Sequence, residues 1–309
     1  MSCGEIDIPS DSSAPGHYIL VAWHNHWTHK RLNNLFWGSL ITYASTSFTE
    51  DLKPQPGGAV MKLNLVPLFK VLKRWGYELV SLSPDRLIIE IKPGQHQIIK
   101  SVEPYTMTGP LALWSLLTAA EYVNSTGIPG DIVECGVWRG GSSMLAKIVC
   151  DQAGASRKFH LFDTFEGMPQ PKAVDIFRDG TSAMEIFRRY QKHGKNEFCY
   201  ASLEEVKENF AGLGLLDENV TFVKGKVEKT LSNEKNLPAK IAILRLDTDW
   251  YDSTKKELEV LYPRLVKGGV LIIDDYGYWQ GARKAVDEYF TEPVLMHRVD
   301  KSVRLIVKN

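Results

Sequence analysis

The chain has little that would send it to a membrane, a nucleic acid or an oxidising compartment. No apolar run in its 309 residues approaches the ~20 needed to cross a bilayer. Charge of one sign is not in excess, because 37 Lys and Arg balance 37 Asp and Glu. No global field therefore draws it to polyanions or anionic surfaces. Cysteine is scarce, and Cys3, Cys135, Cys150 and Cys199 form no CxxC pair, which argues for reduced thiols rather than a disulfide framework. The first residues, MSCGEIDIPSDSSAPGHY, lack a basic segment followed by an apolar core, so a secretory signal is not expected. Repeats and low-complexity tracts are missing too. What remains is an ordinary globular composition, 44% hydrophobic and 24% charged, long enough to bury a large core in a cytoplasmic protein.

Texture changes along the chain. Residues 1–60 are polar and aromatic, with one plausible element at Arg31–Tyr43, and read as a peripheral extension. From Met61, an alternative start the sequence does not decide, Leu63, Leu65, Leu68 and Leu72 give a basic amphipathic pattern. It suits packing on the protein's own domain or a sister subunit, or a membrane-surface or partner helix. We read 61–103 as a helical and strand region. Beyond it the pattern is regular: helix 111–124, strand 131–137, helix 142–150, strand 159–165, helix 202–214, then strands 220–225, 241–247 and 270–275 alternating with helices 253–265 and 281–290. A closing hairpin spans VLMHRVD and SVRLIVK. Continuous apolar strands alternating with helices predict a doubly wound, mainly parallel sheet. The polar and aromatic stretch 166–199, with helical pieces such as Ala183–Lys192, has the length of a lid over a site.

Four aspartates stand at the ends of two of these strands. LRLDTDWYDST carries Asp247 and Asp249, and VLIIDDYGYW carries Asp274 and Asp275. Clustered carboxylates repel one another and resist desolvation, and a hard cation such as Mg2+ is the simplest remedy. Capped turns without a cation are the structural alternative. Asp247 and Asp249 are two apart, so an extended strand would turn both to one face. Asp274 and Asp275 are adjacent, so at least one of them must lie in a turn.

The first strand of the regular region runs into Glu134-Cys-Gly136-Val-Trp-Arg-Gly140-Gly141. Such glycines permit a tight turn and bring backbone close to a ligand at a helix N-terminus, although many serve packing alone. Asp163, closing the next strand, is placed to bind ribose hydroxyls or to cap a helix. It lies farther on than the roughly 20 residues usual after Rossmann glycines. Trp138 stands where a dinucleotide fingerprint needs its second glycine.

The turn instead resembles the ExGxxxG loop of S-adenosylmethionine-dependent methyltransferases. PYTMTGPLALWSLL, GIPGDIVECGVWRGGSS, LFDTFEGMP, SLEEVKENF, LRLDTDWYDST and IIDDYGYWQGARKAVDEYF extend that likeness from about residue 104 to 290. In this order they are similar to the macrocin O-methyltransferase family, whose members methylate sugar hydroxyls on secondary metabolites. The resemblance implies a seven-stranded class I, Rossmann-like methyltransferase domain over 104–309. It implies Asp247, Asp274 and Asp275 as Mg2+ ligands and Asp249 as general base. Glu134, Gly136 and Asp163 would hold S-adenosylmethionine, with Ser142 near its carboxylate and Ser202 near its adenine. The family's usual Gly-Asp pair is Thr248-Asp249 here, and Val227 and Glu228 replace a usual aromatic and Asp.

The expected activity is Mg2+-dependent methyl transfer from S-adenosylmethionine to a sugar or polyol hydroxyl on a specialised metabolite, by a homo-oligomer that engages no nucleic acid. A catechol-type O-methyltransferase acting on an aromatic diol is the nearest alternative. A nicotinamide-dependent oxidoreductase is disfavoured by Trp138, and a non-catalytic binding module by the full set of acids. His24, His26 and His29 lack metal-site spacing and read as a solvated cluster. Tyr276, Tyr278 and Trp279 suit either an acceptor pocket or packing on the lid. Arg139 reads as a surface residue.

Overall fold

A computed structural model describes residues 5–9, 15–22, 77–81, 90–192 and 195–309. The chain divides into two compact units, Met1–Glu90 and Ile91–Asn309. The expected elements at 31–43 and 61–72, and the histidines at 24, 26 and 29, lie outside the described residues.

In the first unit, β1 (Glu5–Pro9), β2 (Pro15–Ala22) and β3 (Tyr77–Ser81) form an antiparallel sheet in that order. This differs from the aperiodic extension read from the sequence, because β2 pairs with a strand from beyond residue 60. EIDIP does alternate apolar and polar residues, and HYILVA is rich in strand formers. The surrounding Ser and Pro obscured both.

The second unit begins with α1 (Pro93–Val102) and α2 (Pro110–Ser125), whose prolines occupy the first turn, where no N–H is required. Then come β4 (Asp131–Cys135), α3 (Gly141–Gln152), β5 (Phe159–Asp163), α4 (Ala183–Arg189) and a small hairpin, β6 (Gln191–Lys192) with β7 (Lys195–Asn196). The expected helix 183–192 therefore stops at Arg189. After these follow α5 (Leu203–Gly212), β8 (Val220–Lys224), α6 (Val227–Thr230) and β9 (Ile241–Leu246). The unit closes with α7 (Tyr251–Leu261), β10 (Leu265–Ile273), α8 (Gln280–Tyr289), β11 (His297–Arg298) and β12 (Arg304–Val307).

Seven strands form one sheet in the order β11-β12-β10-β9-β4-β5-β8. The five from β10 to β8 are parallel, and the C-terminal hairpin adds two antiparallel strands at the edge. Buried residues of α1, α2, α3 and α5 pack on one face, and those of α6, α7 and α8 on the other. The sheet is thus doubly wound, as its apolar strands predict; all six residues of β9 are buried. From β4 the chain runs outward to β5 and β8, then returns to lay β9 on β4's other side. That reversal puts a crevice at the carboxyl ends of β4 and β9, where ligands of such sheets bind.

Candidate functional site

The crevice is narrow because the two strand ends nearly touch. Asp247 N–H donates to the Cys135 carbonyl at 2.8 Å, and Gly136 N–H to the Phe162 carbonyl at 2.9 Å. Gly136 has φ of +83°, and a Cβ there would lie 1.8 Å from the Asp247 carbonyl oxygen. Only glycine fits. The glycine-rich turn then leads into α3, and a cavity of about 310 Å³ opens above it.

Glu134, Gly136, Ser142, Asp163, Asp247, Asp249, Asp274 and Asp275 all line this cavity. Ser202 does not. Its hydroxyl accepts from Glu205 N–H at 3.1 Å, capping α5. Asp163 is engaged by its own chain: one oxygen takes the N–H groups of Val137 (2.7 Å) and Trp138 (3.1 Å), the other that of Phe165 (2.7 Å). It ties the glycine-rich turn to the end of β5, so a ribose hydroxyl would have to share these oxygens. Burial raises its pKa, and the three N–H groups oppose that rise.

The aspartates meet as expected, with one correction. β9 ends at Leu246, and Asp249 has φ of +66°, so an extended strand does not bring it beside Asp247. A left-handed turn does, held by Asp249 N–H donating to Asp275 Oδ2 at 3.0 Å. Asp274 still continues the ladder through its N–H to the Leu246 carbonyl (2.9 Å), whereas Asp275 lies in the turn. Trp138, Cys199 and Asp249, three of the four non-glycine residues with positive φ among those described, line the cavity. Backbone strain of this kind gathers where a site is being shaped.

One residue that sequence reasoning passed over sits at the centre. Arg245, 3% exposed, donates through Nη1 to Glu134 Oε1 (2.6 Å) and Asp247 Oδ2 (2.6 Å), and through Nη2 to Thr108 Oγ1 (2.9 Å) and Asp274 Oδ1 (2.5 Å). The parallel register sets Glu134 directly beside Arg245. The signal was available, since a lone cation inside IAILRLD must find anions once that strand is buried. The second Glu134 oxygen accepts from the Ser143 hydroxyl. Ser142 Oγ lies 3.3 Å from Thr108 Oγ1.

Three carboxylates bond this one guanidinium, and Asp249 and Asp275 line the same cavity. Burial pushes Glu134 up to about 7 despite Arg245 beside it. Burial, then Asp247, raises Asp249 and Asp274; burial, then Asp249, raises Asp275 further. Burial works against the charge of Arg245, but Asp247, Asp274 and Glu134 outweigh it. The excess of acid fits a hard divalent cation. Asp247, Asp274 and Asp275 each offer an oxygen, and the three oxygens lie within 4.8 Å of one another.

The lid supplies an aromatic wall. Phe177 bridges to Trp279 across the backbone and packs on the Tyr278 and Trp279 rings, and all three line the cavity with Met168 and Phe198. Tyr276 turns away, donating to Asp287 at 2.8 Å. Arg139 is engaged with Glu205 (2.6 Å) and the Pro104 carbonyl. Among the described residues no helix is long and apolar enough to cross a membrane.

Comparison with known proteins places the chain in a family. The family model described as Macrocin-O-methyltransferase (TylF) matches residues 100–303. An 8-demethyl-8-(2,3-dimethoxy-alpha-L-rhamnosyl)-tetracenomycin-C 4'-O-methyltransferase of Streptomyces olivaceus is 39% identical over 186 residues, 60% of this chain and 67% of that one. Demethyldecarbamoylnovobiocin O-methyltransferase of Streptomyces niveus is 37% identical over 186 residues, with the same coverage. The solved structure of the O-methyltransferase NovP aligns with a TM-score of 0.58 at 33% identity, covering 66% of this chain and 82% of that one. These matches leave no place for the oxidoreductase alternative: the chain belongs to the macrocin O-methyltransferase family and is an O-methyltransferase.

Proposed function

We propose that the enzyme transfers a methyl group from S-adenosylmethionine to a hydroxyl of a sugar or polyol on a specialised metabolite, with a divalent cation, Mg2+, in the acid cluster. The observation that carries this reading is the meeting of two sets of residues on one cavity. The glycine-rich turn and Glu134 line it, and so do the four aspartates. The relatives' names support the acceptor class, since the S. olivaceus enzyme is a 4'-O-methyltransferase of a rhamnosyl-bearing compound.

In this reading Glu134, Gly136 and Ser142 hold the donor against the turn, and Asp163 keeps that turn in place. Ser202 would reach the adenine only indirectly, through the α5 terminus it caps. Asp247, Asp274 and Asp275 would hold the cation. When bound, it would orient a hydroxyl oxygen of the acceptor and lower its proton affinity. Asp249, held in its turn by Asp275, accepts the hydroxyl proton. Burial raises its pKa above the usual carboxylate range, toward the value that suits a base at neutral pH. Phe177, Tyr278 and Trp279 cover the acceptor side and exclude water. Most of the acceleration then comes from positioning. The same aromatic wall is what favours a second reading, in which the acceptor is a flat aromatic diol.

The test is methyl transfer from isotopically labelled S-adenosylmethionine to a panel of glycosylated metabolites and catechols, read by mass spectrometry. Transfer to sugar hydroxyls, abolished by chelation and restored by Mg2+, is expected. Asp249→Asn should keep S-adenosylhomocysteine binding while losing at least ~100-fold in kcat, on the scale of a general base. Full activity in excess chelator removes the cation, and full activity of the Asn variant removes Asp249 as base. Transfer to catechols alone selects the second reading.

A further inference from the structure

We propose that Arg245 is a positioning residue that builds the methyl-donor site and the cation site as one unit, so that its geometry, beyond its charge, sets the affinity of both. The inference rests on the reading of the cavity given above. Arg245 itself is not one of the residues that reading assigns to donor, cation or proton.

Both N–H bonds of Nη1 and both of Nη2 have an acceptor: Glu134 and Asp247 on one side, Thr108 and Asp274 on the other. These four acceptors come from four different places. Glu134 is on β4, Asp247 directly follows β9, Asp274 directly follows β10, and Thr108 lies on the segment before α2. A planar fork with fixed directions can satisfy all four together. An ammonium, with three donors on one nitrogen, cannot span them.

Each bond also fixes what its partner has left. Arg245 takes Oδ2 of Asp247 and Oδ1 of Asp274, which leaves the second oxygen of each carboxylate outside the guanidinium's bonds. It takes Oε1 of Glu134 while Ser143 holds Oε2, which fixes the carboxylate beside the donor turn. Thr108 Oγ1, in turn, lies beside Ser142 Oγ on the same cavity. With 3% exposure the guanidinium has no water to fall back on, so the arrangement is held rather than sampled.

A purely electrostatic role predicts something different. If Arg245 only offset negative charge, any cation at that place would serve equally well. The charge-conserving variant therefore separates the two.

The experiment measures two affinities in the full chain: S-adenosylhomocysteine by calorimetry, and Mn2+, as a paramagnetic stand-in for Mg2+, by electron paramagnetic resonance. Arg245→Lys is expected to weaken both by tenfold or more, with far-UV circular dichroism unchanged. Thr108→Val removes one of the four acceptors at little change in shape. It is expected to weaken S-adenosylhomocysteine and Mn2+ each about two- to fivefold, and it serves if the lysine variant does not fold. Native affinities for both ligands in Arg245→Lys, or in Thr108→Val where only that variant folds, overturn the inference. Loss of one affinity with the other intact overturns it as well, because the two sites would then be independent. Failure of the unaltered protein to bind either ligand is distinguishable from these. It would sink the reading of the cavity, and the inference with it.

Discussion

At the scale of single residues, the least expected group is Glu257. It is fully buried on α7, Oε1 accepts from the Thr248 hydroxyl at 2.8 Å, and Oε2 has no hydrogen-bond partner among the described residues. Burial pushes this carboxyl up to about 8. The folded protein therefore holds a proton that the unfolded chain, with an ordinary value of 4.5, releases. Between those two values stability falls as pH rises, and above about 8 the loss is complete. Glu257→Gln keeps an acceptor for Thr248 and has no proton to lose. We expect urea denaturation of the Gln variant to show a flatter pH dependence from 5 to 8 and a relative gain on the order of a few kcal/mol at pH 8.5. A variant that follows the parent's profile would show that Glu257 does not titrate in this range. Residues of this kind are invisible in sequence, because YDSTKKELEVL presents Glu257 as one more charge on an amphipathic helix.

At the scale of elements, one buried carboxylate joins the Phe177–Trp279 bridge in tying the lid to the sheet domain. Asp175 is 2% exposed; Oδ1 accepts from Tyr251 N–H at the start of α7 (2.9 Å), and Oδ2 from Lys172 N–H (2.7 Å). It also comes so close to Gly281, in the first turn of α8, that a Cβ there would overlap it. A single side chain thus caps one helix and abuts another. Asp175→Ala is expected to cost about 1–2 kcal/mol in thermal or urea denaturation, the usual cost of a lost cap with a buried donor left unpaired. A change within error would mean that the lid seats itself by other contacts. The elements were largely legible in the sequence, because IAILRL and VLII are continuous apolar runs and Ser202 stands three residues before Glu205. The lid was legible only as an insertion. Its shape depends on long-range pairs such as Phe177 with Trp279, which no local pattern encodes. The four aspartates were found by their position at strand ends, although the turn at Asp249 was not. Arg245 is harder to read than the acids, because its partners are brought to it from other strands by the sheet register.

For the whole molecule, the division at Glu90 and Ile91 carries an expectation of its own. Among the described residues, the cores on both faces of the seven-stranded sheet are drawn from residue 91 onward. A protein shortened to residues 91–309 should fold cooperatively and bind S-adenosylhomocysteine, as circular dichroism and calorimetry would report. An unfolded product would show that the second unit depends on the first. The first unit, with its three-stranded sheet, then becomes free to serve acceptor choice or assembly, and activity on glycosylated acceptors with and without it would separate those roles.

The floor of the crevice has a consequence for how such an enzyme can diversify. At Gly136 the backbone of one strand rests against the carbonyl of Asp247, and no side chain can be inserted between them. Variation that alters this floor breaks the sheet, so a lineage cannot explore new acceptors from below. It can do so from above, where residues 166–199 and the Tyr278-Trp279 pair are set on the site from outside. Retargeting by exchange of the lid, with the floor left untouched, is the route this architecture leaves open.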